Sequence, residues 1–512
     1  MSEEELGRAV RRIYEAGYQL EAEAFLNLKR LTEKLSPNEI VETMLEILAQ
    51  KPQPPAFINA ELVKEAAEKL ESRLKEALEP LEPEISEKRV FKPKAKDFEA
   101  EVEVLRDPSR SIASRGEAEN FLKYFKDRFT KLRKLLLQRL DCRDATTVSE
   151  ALAQPQGSKV KFICIVSEKI SRVRRIILRV EDFESSISVL VQPSTQSLEV
   201  FSKAEALLLD QVVCISGVKA GGALVIADDI MLPEVPQHKP NQASEPVCAL
   251  LISDIHIGSR FFEEKLFGRL LAWLRGEIGN HRLREAAGRV KYVVIAGDLV
   301  DGVGVYPEQE TELSIPDIYR QYVEASRLLE EIPDHIQLIV IPGNHDASRK
   351  ALPQPALSRS FAEPIYKLGR RVISLGNPCL VKLHGVTFLL HHGRSLEDVL
   401  AWLPEANHHE PAKAMIALLR ARHLAPIYGQ RTPIAPEPVD WMVIDKVPDV
   451  YHAGHIHVYG QTVYRGVRVV NSGCWQGQTS YQLRLGLMPT PGIAALVDLQ
   501  TLNVTPLDFK AL

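Results

Sequence analysis

Five short segments in the second half of the chain carry residue types suited to holding divalent cations. In order they are Asp254-Ile255-His256, Gly297-Asp298-Leu299-Val300-Asp301, Gly343-Asn344-His345-Asp346, His391-His392-Gly393 and Gly454-His455-Ile456-His457. Each follows an apolar run: Val247–Ile252, Tyr292–Ala296, Ile336–Ile341, Val386–Leu390 and Val450-Tyr451-His452. Such runs read as buried strands, and in α/β sheets ligands gather at the carboxyl ends of strands. Asp-x-His and His-x-His can send both side chains to one side where the backbone is extended. The neighbouring glycines allow tight turns and close approach of a substrate. A lone histidine in apolar surroundings is more often a satisfied core residue, but five motifs in succession point to one shared centre. Carboxylate, imidazole and amide-oxygen donors suit Mn²⁺, Fe²⁺ or Zn²⁺, with Mg²⁺ as a further choice. No motif contains cysteine, which argues against structural zinc or an iron–sulfur cluster.

The elements that must position these residues change character along the chain. At 512 residues the length suits two to four domains. Residues 1–79 are helical in pattern. Ser36-Pro37-Asn38-Glu39 has the form of a capping box, with Ile40, Met44, Leu45 and Leu48 following at helical spacing. Residues 80–107, rich in charge and proline, read as a mobile linker. Residues 108–145 hold an amphipathic connecting helix with Phe121, Phe125, Phe129, Leu132, Leu136 and Leu140 on one face. Its other face carries Lys123, Lys126, Arg128, Lys131, Arg133 and Lys134. That face reads as solvated, with contact to backbone phosphates as the alternative. Residues 146–236 contain five short strand-like runs, the pattern of a small Greek-key barrel of the oligonucleotide-binding (OB) type. The predicted strands lack an obvious set of exposed aromatics, with Phe162 and Phe183 the candidates, so partner docking is the reading ahead of base stacking. A proline-punctuated connector, Pro233–Pro246, leads into alternating strand and helix patterns over residues 246–512.

The five motifs resemble those of the calcineurin-like metallophosphoesterases over roughly residues 246–512. That resemblance implies a β-sandwich flanked by helices, so the expected fold class is a multi-domain α+β protein. The helical start, the barrel, the motif order, the stretch Asp97–Leu105 and the run Ser472–Thr479 together resemble the small subunits of archaeal family D DNA polymerase. The accessory subunits of eukaryotic replicative polymerases are similar but typically have eroded motifs, whereas every motif here stands intact. The resemblance implies that Asp254, His256 and His457 hold one metal and Asn344, His392 and His455 a second, with Asp298 bridging. It leaves His391 open as the alternative to His392, and His452 open as a structural residue. It casts His345 as a general acid and Asp301 as the residue that orients it.

Two divalent ions about 3.5–4 Å apart can provide a nucleophile at neutral pH and clamp a phosphate during in-line attack. A general acid near pKa 7 adds about 10²–10⁴-fold by protonating the leaving oxygen. The implied activity is therefore 3′–5′ exonucleolytic proofreading of single-stranded or mispaired DNA ends, beside a large polymerase subunit in a heterodimer. A silent scaffold subunit and a metallophosphatase on other substrates are the alternatives. The sliding clamp is a further candidate partner, with the N-terminal helices as one place it could bind.

Composition sets outer bounds. With 64 Lys and Arg against 68 Asp and Glu, the formal charge of −4 excludes a uniformly basic DNA-coating protein but allows a local basic groove. No apolar run reaches about 18 residues, so no membrane span is expected. The start lacks a signal-peptide core and the six cysteines form no CxxC pair, which fits a reducing cytoplasmic setting.

Overall fold

The computed structural model describes residues 3–15, 18–31, 37–49, 55, 57–78, 91–112, 114–193, 198–368, 372–404 and 406–512. The chain divides into two compact units, residues 1–90 and 91–512. In the first, helices Glu3–Glu15, Ala22–Leu31, Pro37–Ala49 and Ala60–Leu78 enclose Ile13, Leu28, Ile40, Met44, Leu48 and Val63. Ile40, Met44 and Leu48 recur every four residues, which puts them on one buried stripe. The expected capping residue Ser36 lies outside the described residues.

The second unit begins with ordered structure where a linker was expected. Residues 80–90 lie outside the described residues, but 91–107 is not a linker. Phe91 packs against the core, Lys94–Asp97 forms a 3₁₀ turn, and Val102–Arg106 is a strand paired antiparallel with Cys379–Leu383. An edge strand needs only one apolar face and tolerates charge on the other, so its composition imitates a linker. Val102 packs between the sheets and Leu105 against the outer cluster, while Glu101, Glu103 and Val104 are exposed.

Strands Lys159–Arg172, Arg175–Glu181, Ser186–Val191, Val212–Lys219 and Leu224–Met231 close into a barrel, with helix Leu198–Glu205 between the third and fourth. Phe162 is wholly buried in its core, and Phe183 stands edge-on to Phe129 at 5.1 Å. Phe162 is therefore closed to stacking, whereas Phe183 remains half exposed. Helix Ala118–Leu137 fills the space between the barrel and the sheets that follow. Phe129, Leu132 and Leu136 meet Ile163, Cys214 and Met231 of the barrel, while Tyr124 and Phe125 join the opposite cluster. Burial from two sides overturns the reading of Arg128 as solvated. Arg128 is 1% exposed, pairs with Asp440 at 2.8 Å, and donates to the Pro426 carbonyl and the Tyr124 hydroxyl. Leu140 lies past the helix end and is exposed.

The connector 233–246 is bonded along its length. Glu234 N–H donates to the Arg420 carbonyl, Asn241 to the Asp449 carboxylate and Ala243 N–H to the Leu499 carbonyl. Beyond it lie two six-stranded sheets. The first runs Val372–Ser374, Gln337–Ile341, Val290–Ala296, Cys248–Ile252, Ile493–Asp498, Val504–Asp508. The second runs Tyr459–Tyr464, Val467–Ser472, Val450–Ala453, Val386–Leu390, Cys379–Leu383, Val102–Arg106. Alternate residues divide between their faces. Leu251, Val294 and Ile341 meet Val381, Phe388 and Leu390 between the sheets, whereas Leu250, Ile252, Val293 and Ile295 meet helices Glu264–Leu274 and Ile318–Glu330 outside. The second sheet's outer face meets Leu396–Trp402 and Pro411–Ala421. Both faces of the central strands are buried, which explains continuous rather than alternating apolar runs. All six cysteines are buried and unpaired. No helix among the described residues is long and apolar enough to cross a membrane.

Candidate metal centre

Parallel pairing aligns the strand ends. Cys248–Ile252, Val290–Ala296 and Gln337–Ile341 run parallel in the first sheet, and Val386–Leu390 and Val450–Ala453 in the second. Their carboxyl-end loops therefore meet, and three overlapping donor clusters result: Asp254, His256 and His457; His256, Asp298 and His345; Asp298, His392 and His455. Within each, the donor atoms lie within 4.8 Å of one another. Asn344 joins the third cluster, its Oδ1 2.9 Å from His392 Nε2.

The backbone that achieves this is not the extended one expected of Asp-x-His and His-x-His. Asp254, His256, Asp298, His455 and His457 have φ of 52°, 54°, 50°, 71° and 60°. Left-handed non-glycine residues are uncommon and cost about 1–3 kcal/mol each. Fixed contacts offset this strain: Ile255 and His256 N–H both donate to the Asp298 carbonyl, at 2.8 and 3.1 Å. The glycines are required for a different reason. A Cβ on Gly343 would sit 2.1 Å from Asp298 Oδ1, and one on Gly454 2.3 Å from Asp254 Oδ2.

The rings of His392, His256, His457 and His345 are oriented from behind. His392 Nδ1–H donates to the Ala296 carbonyl at 2.9 Å, leaving Nε2 toward Asp298 Oδ2 at 3.2 Å. His391 instead stacks on Tyr451, 3.2 Å from its hydroxyl, and His452 bonds Ser472. Thus His392, not His391, reaches the cluster. His256 Nδ1–H donates to Asp301 Oδ1 at 2.8 Å, and His457 Nδ1 accepts from Gln482 Nε2 at 3.0 Å. His345 donates Nδ1–H to the Asp301 backbone carbonyl at 2.7 Å and lies 3.9 Å from that residue's carboxylate. This corrects the role expected for Asp301: its side chain orients His256, and only its main chain orients His345. At 15% exposure the His345 side chain is more open to solvent than Asp254 or Asp298, at 0% and 2%. Burial lowers its pKa, against the opposing charge of Asp298.

Four supporting residues have roles that the sequence does not announce. The Asp346 carboxylate accepts from Gly343, Leu299 and Val300 N–H and from the Tyr322 hydroxyl, stapling two ligand loops together. Burial and the Asp298 charge push its carboxyl up to about 6. Gln476 and Gln309 donate to the Asp301 carboxylate. Gln482 is held by Thr479 in a capping box, and the Thr479-x-x-Gln482 spacing was available as its signal.

The donor set fits divalent cations. Asp254 Oδ1 is buried without a hydrogen-bond partner, its nearest donor atom being His457 Nε2 at 3.5 Å. His256 and His457 bring their Nε2 atoms to 3.1 Å. Burial lowers the His392 pKa, yet Asp298 and Asp254 outweigh it and raise the group to about 9, so the carboxylates demand positive charge here. Oxygen and imidazole donors without sulfur match borderline-hard ions.

Fold and site together define a class: a layered α/β body whose paired sheets carry a buried carboxylate–histidine centre at their strand ends. The family model for the B subunits of DNA polymerases alpha and epsilon matches residues 249–459. The chain is 41% identical over 395 residues to the DNA polymerase II small subunit of Pyrococcus furiosus, covering 77% of this chain and 64% of that one. With the corresponding proteins of Pyrococcus abyssi and Archaeoglobus fulgidus, identity is 39% over 426 residues and 40% over 416. Those matches cover 81% of this chain in both cases, and 68% and 82% of the relatives. The chain belongs to the family of DNA polymerase II small subunits, the small subunits of archaeal family D polymerase. It spans slightly less than two thirds of the Pyrococcus furiosus relative's length.

Proposed function

We propose that this chain is the 3′–5′ exonuclease subunit of a DNA polymerase and associates with a large polymerising subunit. In this reading residues 246–512 form a calcineurin-like phosphoesterase domain and the barrel is of the OB type. The supporting observation is that two donor groups, Asp254–His256–His457 and Asn344–His392–His455, flank one shared carboxylate, Asp298. Two divalent cations, Mn²⁺ by preference, would supply a nucleophile at neutral pH and charge compensation at the phosphoryl oxygens. Asp298 would bridge them, and neutral Asn344 would keep the site net positive toward an anionic substrate. His345, the most open of the imidazoles oriented here by a main-chain carbonyl, would hand a proton to the departing 3′ oxygen and recover it from solvent. Its Nδ1–H is committed to the Asp301 carbonyl, so Nε2 is the atom left for that transfer.

A purely scaffolding subunit would have no use for five left-handed ligand residues, each strained into place. The test is to incubate the full-length chain with Mn²⁺ and a 5′-labelled oligonucleotide carrying a 3′ mismatch. Stepwise shortening from the 3′ end supports the proposal. Absence of cleavage, alone and with the large subunit, favours the scaffold, and release of free phosphate only favours a phosphatase.

A further inference from the structure

Among the described residues, two cations beside the Asn344 and His392 loops have no ion-pair partner that accounts for their charge. The Lys350 ammonium donates to the backbone carbonyl of Asn344. Arg394, two residues beyond His392, donates one Nη1–H to the Lys350 carbonyl at 3.2 Å. Among the described residues neither side chain forms an ion pair with a carboxylate. The adjacent Arg349 makes the contrast: it pairs with Glu437 at 2.6 Å and is spent on structure. An ammonium has three donors and a guanidinium five, so most of their donor capacity is uncommitted. Two cations anchored to main-chain carbonyls at the rim of an anion-handling site are placed to hold a phosphate.

The chemistry of a 3′ end indicates which phosphate. The terminal nucleotide bears a free 3′ hydroxyl, and the only phosphate joining it to the strand is the one cut. A second phosphate within reach must belong to the strand that is kept. We propose that Lys350 and Arg394 form a phosphate subsite that holds the retained strand by the phosphodiester next to the scissile one. This rests on the nuclease reading above and adds to it a requirement for a substrate with two phosphates. A monoester or a small diester has nothing to place there.

The test compares the full-length chain with Lys350→Gln and Arg394→Gln, singly and together. Binding of a 5′-labelled oligothymidylate is followed by fluorescence anisotropy in EDTA across a salt series, without turnover. The double variant should bind about tenfold more weakly, and each lost contact should reduce the salt slope by about one. In Mn²⁺, kcat/KM should fall through KM on a trinucleotide, which has two phosphates. A dinucleotide and a p-nitrophenyl diester, with one phosphate each, should be cut as by the parent chain. Lys350→Arg and Arg394→Lys should retain binding, and metal content and thermal midpoint should not change. Unchanged oligonucleotide affinity overturns the subsite, as does an equal loss on dinucleotide and trinucleotide. If the parent chain cuts nothing while the double variant still binds more weakly, the nuclease reading falls and with it the retained-strand role, leaving only phosphate binding by the two cations. If the parent cuts and the variant matches it in every assay, the subsite falls and the nuclease reading stands.

Discussion

The Asp301 carboxylate bonds His256 at 2.8 Å, while the carbonyl of the same residue accepts from His345 at 2.7 Å. One residue thus aligns a candidate ligand with its side chain and the candidate acid with its backbone. Asp301→Asn removes only the first function. Loss of a carboxylate behind a ligating histidine typically costs about 10–100-fold in metal affinity or activity. The expected result is weaker Mn²⁺ binding by calorimetry, with activity largely restored at saturating metal. A variant with undiminished metal affinity and reduced turnover would instead tie the carboxylate to His345.

Acid sensitivity should arise away from the site, at the helix that joins barrel and sheets. His423 Nδ1 accepts from Ala425 N–H, so its Nε2–H donates to Asp440 and the ring is held neutral. Burial and the neighbouring Arg128 charge push its pKa down to about 4. Burial opposes the Asp440 carboxylate, but His423 and Arg128 outweigh it and hold that carboxyl below its ordinary range. Both groups bind more protons when unfolded: the His423 contribution is complete above about pH 6.5 and is lost as pH falls to 4, and the Asp440 contribution is lost only below about pH 4. Denaturation midpoints should decline over that window, with a shallower decline in His423→Gln. Arg128→Met should cost about 3–5 kcal/mol, because it strands a buried carboxylate. Equal midpoints for Arg128→Met and the parent chain would remove the ion pair from the account.

Truncation separates the edge strand from what precedes it. Starting the chain at Phe91 should leave the thermal midpoint of the larger unit in place. Starting at Pro108 removes Val102–Arg106 and bares the Cys379–Leu383 edge, so the midpoint should fall and aggregation rise. Identical melting of the two truncated chains would show that the strand contributes nothing.

The candidate site was legible because consecutive apolar runs announce buried strands, and each ends in a donor residue. What the sequence hid was parity and partner. His391 continues the face of Leu389, toward the outer helices and Tyr451, whereas His392 continues the face of Leu390, between the sheets. Two adjacent histidines can be told apart only once those faces are known. Backbone conformation was hidden too, since nothing in Asp-Ile-His or His-Ile-His announces left-handed residues at both ends. The strand at Val102–Arg106 depends on a partner some 280 residues away, and its charged face matched a linker's composition. Arg128 looked solvated because the helix was assigned one buried stripe, yet the barrel and the outer helices bury it from two sides.

The most direct test of the two-metal account pairs metal content with turnover in His345→Ala and Asp298→Ala. Asp298→Ala removes the shared carboxylate and should lose both metal and activity. His345→Ala leaves Asp254, His256, Asp298, Asn344, His392, His455 and His457 in place. By elemental analysis it should retain two metals per chain, while turnover of a labelled oligonucleotide falls about 10²–10⁴-fold. A p-nitrophenyl diester, whose leaving group needs little protonation, should recover much of that loss. If His345→Ala instead emptied part of the site, His345 would be a ligand, and if it cut DNA at the parent rate, it would have no part in the proton transfer.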